Sequence, residues 1–169
     1  MCGIAGSLIM DRHSGLSHPD LDAMIAVLRH RGPDGKNDYI SPLCALAHAR
    51  LSIIDIETGT QPMANEDGSV WTVVNGEIFN YVELRAELQL MGHRFRTRSD
   101  TEVIVHAYEA YGERFVDRLN GQFAIALWDA TRERLILARD RVGIRPLFYA
   151  SSGGRMLFAS EMKAILARR

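Results

Sequence analysis

Hydrophobic positions recur with two different periods along this chain, and the switches between them mark its elements. Residues 3–10 are apolar almost without interruption, which predicts a buried strand. Leu21, Met24, Ile25 and Leu28 fall at i, i+3, i+4 and i+7, so an amphipathic helix is expected from Pro19 to about Arg29, with proline at its start. Arg31-Gly32-Pro33-Asp34-Gly35 breaks both periods and predicts a turn. Apolar segments at 43–49 and 70–74 read as strands buried on at least one face. A second helix is expected from about Tyr81 to Met91, stopped by Gly92 as a left-handed cap. Ser99 and Glu102 are spaced as a capping box and predict a third, running through Val103, Ile104, Ala107 and Tyr108 to Tyr111, where Gly112 ends it. Strands then follow at 122–128, 134–139, 146–150 and 155–159, and a helix begins at about Ser160. Ser151-Ser152-Gly153-Gly154 lies between two of these strands, so it reads as a hairpin turn rather than a phosphate-cradling loop.

Helices set between blocks of strands predict an α+β domain with the helices packed outside the sheets. No repeat or low-complexity linker divides the chain, so residues 1–169 are expected to form one domain. Its last helix is still running at Arg169, which implies that the natural chain continues. Periodicity alone does not say how many layers the sheets and helices make.

Composition removes several function classes. Twenty basic residues against 21 acidic ones leave a net charge of -1, which offers nothing to nucleic acid or an anionic membrane. Arg94, Arg96 and Arg98 do cluster, but alternate spacing on a strand would make them a solvated face. No run approaches the roughly 18 to 20 apolar residues of a membrane span. The apolar first ten residues lack a basic lead and read as a strand, not a signal peptide. Cys2 and Cys44 are too few for a disulfide framework, which points to the reducing cytoplasm. His13, His18, His30, His48, His93 and His106 show no paired-ligand spacing and Cys44 has no partner in a zinc pattern, so no metal site is expected.

Cys2 follows the initiator methionine directly, and cysteine is small enough for that methionine to be trimmed. Trimming would leave a thiol and a free α-amine on one residue. Their unperturbed pKa values, about 8.5 and about 7.7–8.0, let the amine take the thiol proton and return it to a leaving group. Alone, a cysteine at position two is more often an inert buried residue. The rest of the chain changes that balance.

Cys2-Gly3-Ile4-Ala5-Gly6, Arg29-His30-Arg31-Gly32-Pro33-Asp34-Gly35 and His48-Ala49-Arg50-Leu51-Ser52-Ile53-Ile54-Asp55 open a series of motifs. Gln61-Pro62-Met63, Asn75-Gly76-Glu77-Ile78-Phe79-Asn80-Tyr81, Ser99-Asp100-Thr101-Glu102 and Ala138-Arg139-Asp140-Arg141 continue it. Gly143-Ile144-Arg145-Pro146-Leu147-Phe148-Tyr149 and Phe158-Ala159-Ser160-Glu161-Met162-Lys163 complete it. In this order and over the whole chain, the series resembles the glutaminase domain of the glutamine-hydrolysing asparagine synthetases. That is a branch of the class II glutamine amidotransferases, themselves N-terminal nucleophile hydrolases. The resemblance implies a four-layer αββα sandwich of two mainly antiparallel sheets.

It also implies roles. Cys2 would attack glutamine's carboxamide to give a γ-glutamyl thioester, with its α-amine as proton shuttle. Asn75, through its amide, and Gly76, through its backbone N–H, would form the oxyanion hole, where neutral directional donors and a close backbone approach are what the chemistry needs. Arg50 would bind the substrate carboxylate by a two-pronged charged hydrogen bond. Leu51, Ile53 and Ile54 would line the pocket, and Asp100, helped by Glu77, would hold the ammonium. The 31–35 loop would shape the site or be a plain surface turn.

The implied partners are L-glutamine and a C-terminal synthetase domain or acceptor subunit, absent from this sequence, to which ATP and magnesium would belong; no cofactor is expected in the glutaminase domain itself. A homodimer stays open, and an apolar surface is expected near the last helix where the partner domain docks. Two other readings keep the fold. A non-catalytic scaffold would not need these polar residues as a set, and a hydrolase of another amide would have no reason to keep Arg50 with Asp100.

Overall fold

β1 (Gly3–Ile9) forms where the first apolar run predicts it and pairs antiparallel with β3 (Cys44–Arg50) on one side and β9 (Arg155–Ala159) on the other. The computed structural model describes residues 1–13, 15, 17–52, 55 and 57–167. Among them, β2 (Gly35–Ile40) and β8 (Phe148–Ser152) extend this into a five-stranded sheet of order β2-β3-β1-β9-β8. A second antiparallel sheet holds β4 (Met63–Ala64), β5 (Val70–Ile78), β6 (Gly121–Asp129) and β7 (Arg134–Arg139), in that order. Helices α1 (Leu21–Ala26) and α4 (Met162–Leu166) pack on the first sheet, α2 (Tyr81–Leu90) and α3 (Glu102–Tyr111) on the second.

Three apolar clusters separate the four layers, and strand alternation sorts residues among them. Ala5, Ala45, Ala47, Ala49 and Ala159 face α1 and α4, and these small side chains let short helices approach closely. On the opposite face of the same strands Ile4, Leu46 and Phe158 meet Val73, Ala124, Ala126 and Trp128 of the second sheet. The remaining face, with Val74, Ile78, Ile125 and Leu127, is covered by Leu84 and Leu88 of α2 and Ile104 and Tyr108 of α3. The architecture is therefore α+β with αββα layering, as the resemblance implied.

Several boundaries differ from expectation, each for a local reason. α1 ends at Ala26, because Leu28, Arg29 and Arg31 donate three residues back and tighten the chain into turns. Its N-cap is Asp20, which accepts from Ala23 N–H at 3.0 Å, so Pro19 precedes the cap instead of opening the helix. The expected capping box does not form. α3 begins after Thr101, while the Glu102 carboxylate reaches further back, accepting from the N–H groups of Arg96 at 2.7 Å and Thr97 at 2.8 Å. Arg94, Arg96 and Arg98 are exposed as expected, but their segment is a loop and forms no strand. β2 has no apolar alternation because it is an edge strand with mostly exposed side chains. A 3-10 segment, Gly112–Arg118, continues past the glycine that ends α3. Gly153 and Gly154, both at positive φ, make the two-residue turn between β8 and β9.

The inter-sheet packing should dominate stability. Leu46 is fully buried between the sheets, so Leu46→Ala is expected to cost about 2–5 kcal/mol, read as a lowered urea midpoint at unchanged m-value.

Candidate active site

At one end of the gap between the sheets the inward-facing residues turn from apolar to polar. Cys2 lies two residues before Ile4, His48 and Arg50 follow Leu46 along β3, and Asn75 and Glu77 follow Val73 along β5. These side chains share a face with the apolar residues that precede them, and they open into a cleft. Its walls include Cys2, Arg50, Leu51, Asn75, Gly76, Glu77 and Asp100, which brings together every described residue expected at the site. Ile53 and Ile54, expected in the pocket, lie outside the described residues. The cleft also includes Met1, His48, Gln61, Ser99, Thr101 and Arg145, none of which was expected among the substrate-binding or catalytic residues.

The Cys2 thiol is held by one residue. Its Sγ accepts from Leu51 N–H at 3.4 Å and donates to Leu51 O at 3.5 Å. Burial raises the thiol pKa above 9.0 and outweighs the opposing Leu51 N–H, N-terminal amine and Arg50 guanidinium. At neutral pH the resting group is therefore a thiol that needs a base. Cys44 is a buried free thiol in β3, raised further by burial, and is chemically inert.

Asn75 is fully buried, yet neither its Nδ2 nor its Oδ1 finds a protein partner among the described residues. Leaving such an amide unsatisfied costs about 1–3 kcal/mol, so its polar atoms are aligned at a price that a ligand in the cleft would offset. Asn75 and Gly76 are not in a turn: β5 continues through both to Ile78, and Gly76 pairs with Phe123 of β6. A Cβ on Gly76 would sit 2.0 Å from Gln122 O, so only glycine lets β6 approach here.

Asp100 accepts from Ile78 N–H at 2.9 Å, which anchors it to the end of β5. Burial raises its pKa above 3.8, against the Ile78 hydrogen bond and with help from the Glu77 carboxylate. Arg50 donates from Nη2 to Asp55 O at 2.8 Å. The Asp55 carboxylate in turn accepts from Arg98 N–H at 2.7 Å, so one residue ties the loop behind Arg50 to the segment leading into Asp100. Gln61 makes a second tie, accepting from Val74 N–H at 2.7 Å and donating to Thr101 Oγ1 at 3.1 Å. The 31–35 loop stays outside the cleft but shapes it: Asp34 donates to Arg50 O at 3.0 Å and accepts from Ser52 N–H at 2.8 Å. Arg145 is presented by a loop that Asp140 closes, accepting from the N–H groups of Ile144 and Arg145.

The four-layer αββα sandwich is the fold of the N-terminal nucleophile hydrolases. Within that class the chain belongs to the glutamine amidotransferase domain family, whose model matches residues 1–169. Among curated relatives, glutamine-hydrolyzing asparagine synthetase 2 of Bacillus subtilis (strain 168) is 45% identical over 169 residues, covering 99% of this chain and 22% of its own length. Glutamine-hydrolyzing asparagine synthetase 2 of Oryza sativa subsp. japonica is 46% identical over 166 residues, covering 98% of this chain and 28% of its own. The chain thus spans about a quarter of the curated relatives it matches. The solved glutamine phosphoribosylpyrophosphate amidotransferase from B. subtilis superposes with a TM-score of 0.77 at 22% identity, over 98% of this chain and 43% of that one, which shows the shared fold.

His48 generates a prediction of its own. It is 1% exposed, neither ring nitrogen makes a hydrogen bond of good geometry among the described residues, and burial, reinforced by Arg50 and opposed by a weak contact with the Val74 backbone, lowers its pKa to about 4. The native state keeps it neutral while the unfolded chain protonates near 6.5, so its contribution is complete above about 6.5 and drains away as pH falls toward 4. Between pH 7 and 4.5 the protein should lose on the order of 2–3 kcal/mol more than His48→Gln does, measured by urea unfolding of both at the two pH values.

Proposed function

We propose that this domain hydrolyses L-glutamine to glutamate and ammonia through a γ-glutamyl thioester on Cys2, and that the ammonia is destined for an ATP-dependent synthetase domain of the asparagine synthetase kind. The observation that carries the reading is the buried, unpartnered Asn75 amide in the same cleft as the Cys2 thiol.

With Met1 removed, the Cys2 α-amine accepts the thiol proton and the thiolate attacks the carboxamide carbon. The negative charge that develops on the carboxamide oxygen is met by the Asn75 amide and the Gly76 N–H, donors that need no reorganisation during the step. Collapse breaks the C–N bond, the protonated amine returns its proton to the departing nitrogen, and ammonia leaves. Water, deprotonated by the same amine, then cleaves the thioester and restores the thiol. Arg50 pairs with glutamine's α-carboxylate and Asp100, with Glu77, pairs with its α-ammonium; Leu51 holds the sulfur and lines the pocket. This scheme uses no cofactor within the chain. ATP and magnesium serve the synthetase partner, and a reducing cytoplasm keeps the thiol free. No helix among the described residues is long and apolar enough to cross a membrane. Phe148 on edge strand β8, on the same side of its sheet as α4, and Met162 and Leu166 on α4 itself are exposed apolar side chains where a partner domain would dock.

Met1 lines the cleft, so its retention should obstruct the site as well as convert the shuttle amine into an amide. Glutamate release from glutamine should be at background in Cys2→Ala and in protein whose mass shows Met1 retained; turnover by either would refute the mechanism. Asn75→Ala should lower kcat by about 10²–10³ with a much smaller change in KM, measured by ammonia release; an unchanged kcat would remove Asn75 from the oxyanion hole.

A further inference from the structure

His106 and Glu109, one turn apart on α3, meet Glu66 and His93 from two other segments, outside the Cys2 cleft. We propose that Glu66, His93, His106 and Glu109 bind one divalent transition-metal ion, with zinc as the best match. One ligand atom from each residue lies within 4.8 Å of all the others. His106 Nδ1 is 3.2 Å from Glu109 Oε2 and 3.4 Å from Glu66 Oε2, and His93 Nδ1 is 3.6 Å from Glu109 Oε2. Ligands bonded at about 2.0–2.2 Å to a tetrahedral ion stand about 3.3–3.6 Å apart along the tetrahedron's edges. Three of the six separations match those edges and the rest lie within 4.8 Å, so modest side-chain shifts would close a coordination shell around an ion.

Its outer contacts are arranged in the same sense. Each glutamate has Oε1 occupied from outside: Glu66 accepts from Arg94 N–H at 2.9 Å, and Glu109 accepts from Asn65 Nδ2 at 2.8 Å. Both Oε2 atoms are thereby turned to the common centre. His106, 1% exposed, points Nδ1 at that centre and Nε2 toward Glu102 Oε1, 3.7 Å away. A carboxylate behind the distal nitrogen is how ligating imidazoles are oriented. Hydrogen bonding alone serves the cluster poorly, since the single Nδ1–H of His106 faces two carboxylate oxygens at once. A cation accepts all four lone pairs. Two imidazoles with two carboxylates and no thiolate suit zinc better than magnesium or calcium, and four protein ligands make a closed, structural type of site. Such an ion would pin the β4–β5 connection and the segment after α2 to α3, whose leading residues Asp100 and Thr101 line the cleft.

The test titrates zinc into the full chain, cleared of metal with a chelator, against a chromophoric competitor, in a Cys2→Ala background that removes the competing thiol. One zinc per chain is expected, and His93→Gln and Glu109→Gln should each weaken binding by at least about tenfold. Both side chains are partly exposed, so the fold should survive and circular dichroism checks that it does. Cobalt in place of zinc should show a tetrahedral visible spectrum that both substitutions abolish. Absence of stoichiometric binding, or binding that folded His93→Gln and Glu109→Gln leave unchanged, would overturn the site and leave the cluster as an ion-pair network.

Discussion

The structure depends on two sheets packed face to face whose shared interior is apolar along most of its length and polar at one end. β1, β3 and β5 each present a hydrophobic residue to that interior and then, two positions further toward the cleft, a polar one. Ile4 gives way to Cys2, Leu46 to His48, and Val73 to Asn75. At the other end Tyr39 stacks on Trp71 with ring centroids 4.3 Å apart, closing the gap with aromatic area. The apolar part supplies the cohesion that holds the sheets together. That cohesion is what permits buried polar groups such as His48 and Asn75 to be carried nearby with poorly satisfied hydrogen bonding among the described residues.

The polar end is built from strands, but its recognition groups are aimed by loops, and those loops are tied to one another. Asp55 joins the segment behind Arg50 to the one before Asp100, Gln61 joins β5 to Thr101, and Asp34 grips the backbone on both sides of Leu51. Most of these ties end on backbone N–H and C=O groups, so they fix where the cleft residues stand. Rigid support of this kind is what lets a small set of donors act on developing charge without reorganising first.

Most elements were legible in the sequence because their burial is one-sided or complete. α3, with its apolar positions at helical spacing, and β1, β3 and β6, with continuous apolar runs, needed no tertiary information. Edge strand β2 was invisible because solvent imposes no pattern on it. The ends of α1 and α3 moved because caps compete locally: Asp20 displaced Pro19 from the helix start, and Glu102 found the Arg96 and Thr97 N–H groups instead of closing on Ser99. The four-layer arrangement came from resemblance to a family, not from periodicity.

The sequence by itself determined the chemistry on offer: a cysteine one residue from the start, an arginine, an aspartate and an Asn-Gly pair of the right kinds. It could not determine that Gln61, His48 and Arg145 would share their cleft, nor that His93 and His106 would meet Glu66 and Glu109. Those juxtapositions span up to 143 residues of chain, from Cys2 to Arg145, and arise only when the sheets close on each other and α2 and α3 lie across the second sheet. Local patterning records which face of an element avoids water; it carries no record of which distant element will be pressed against that face. Packing alone decides that.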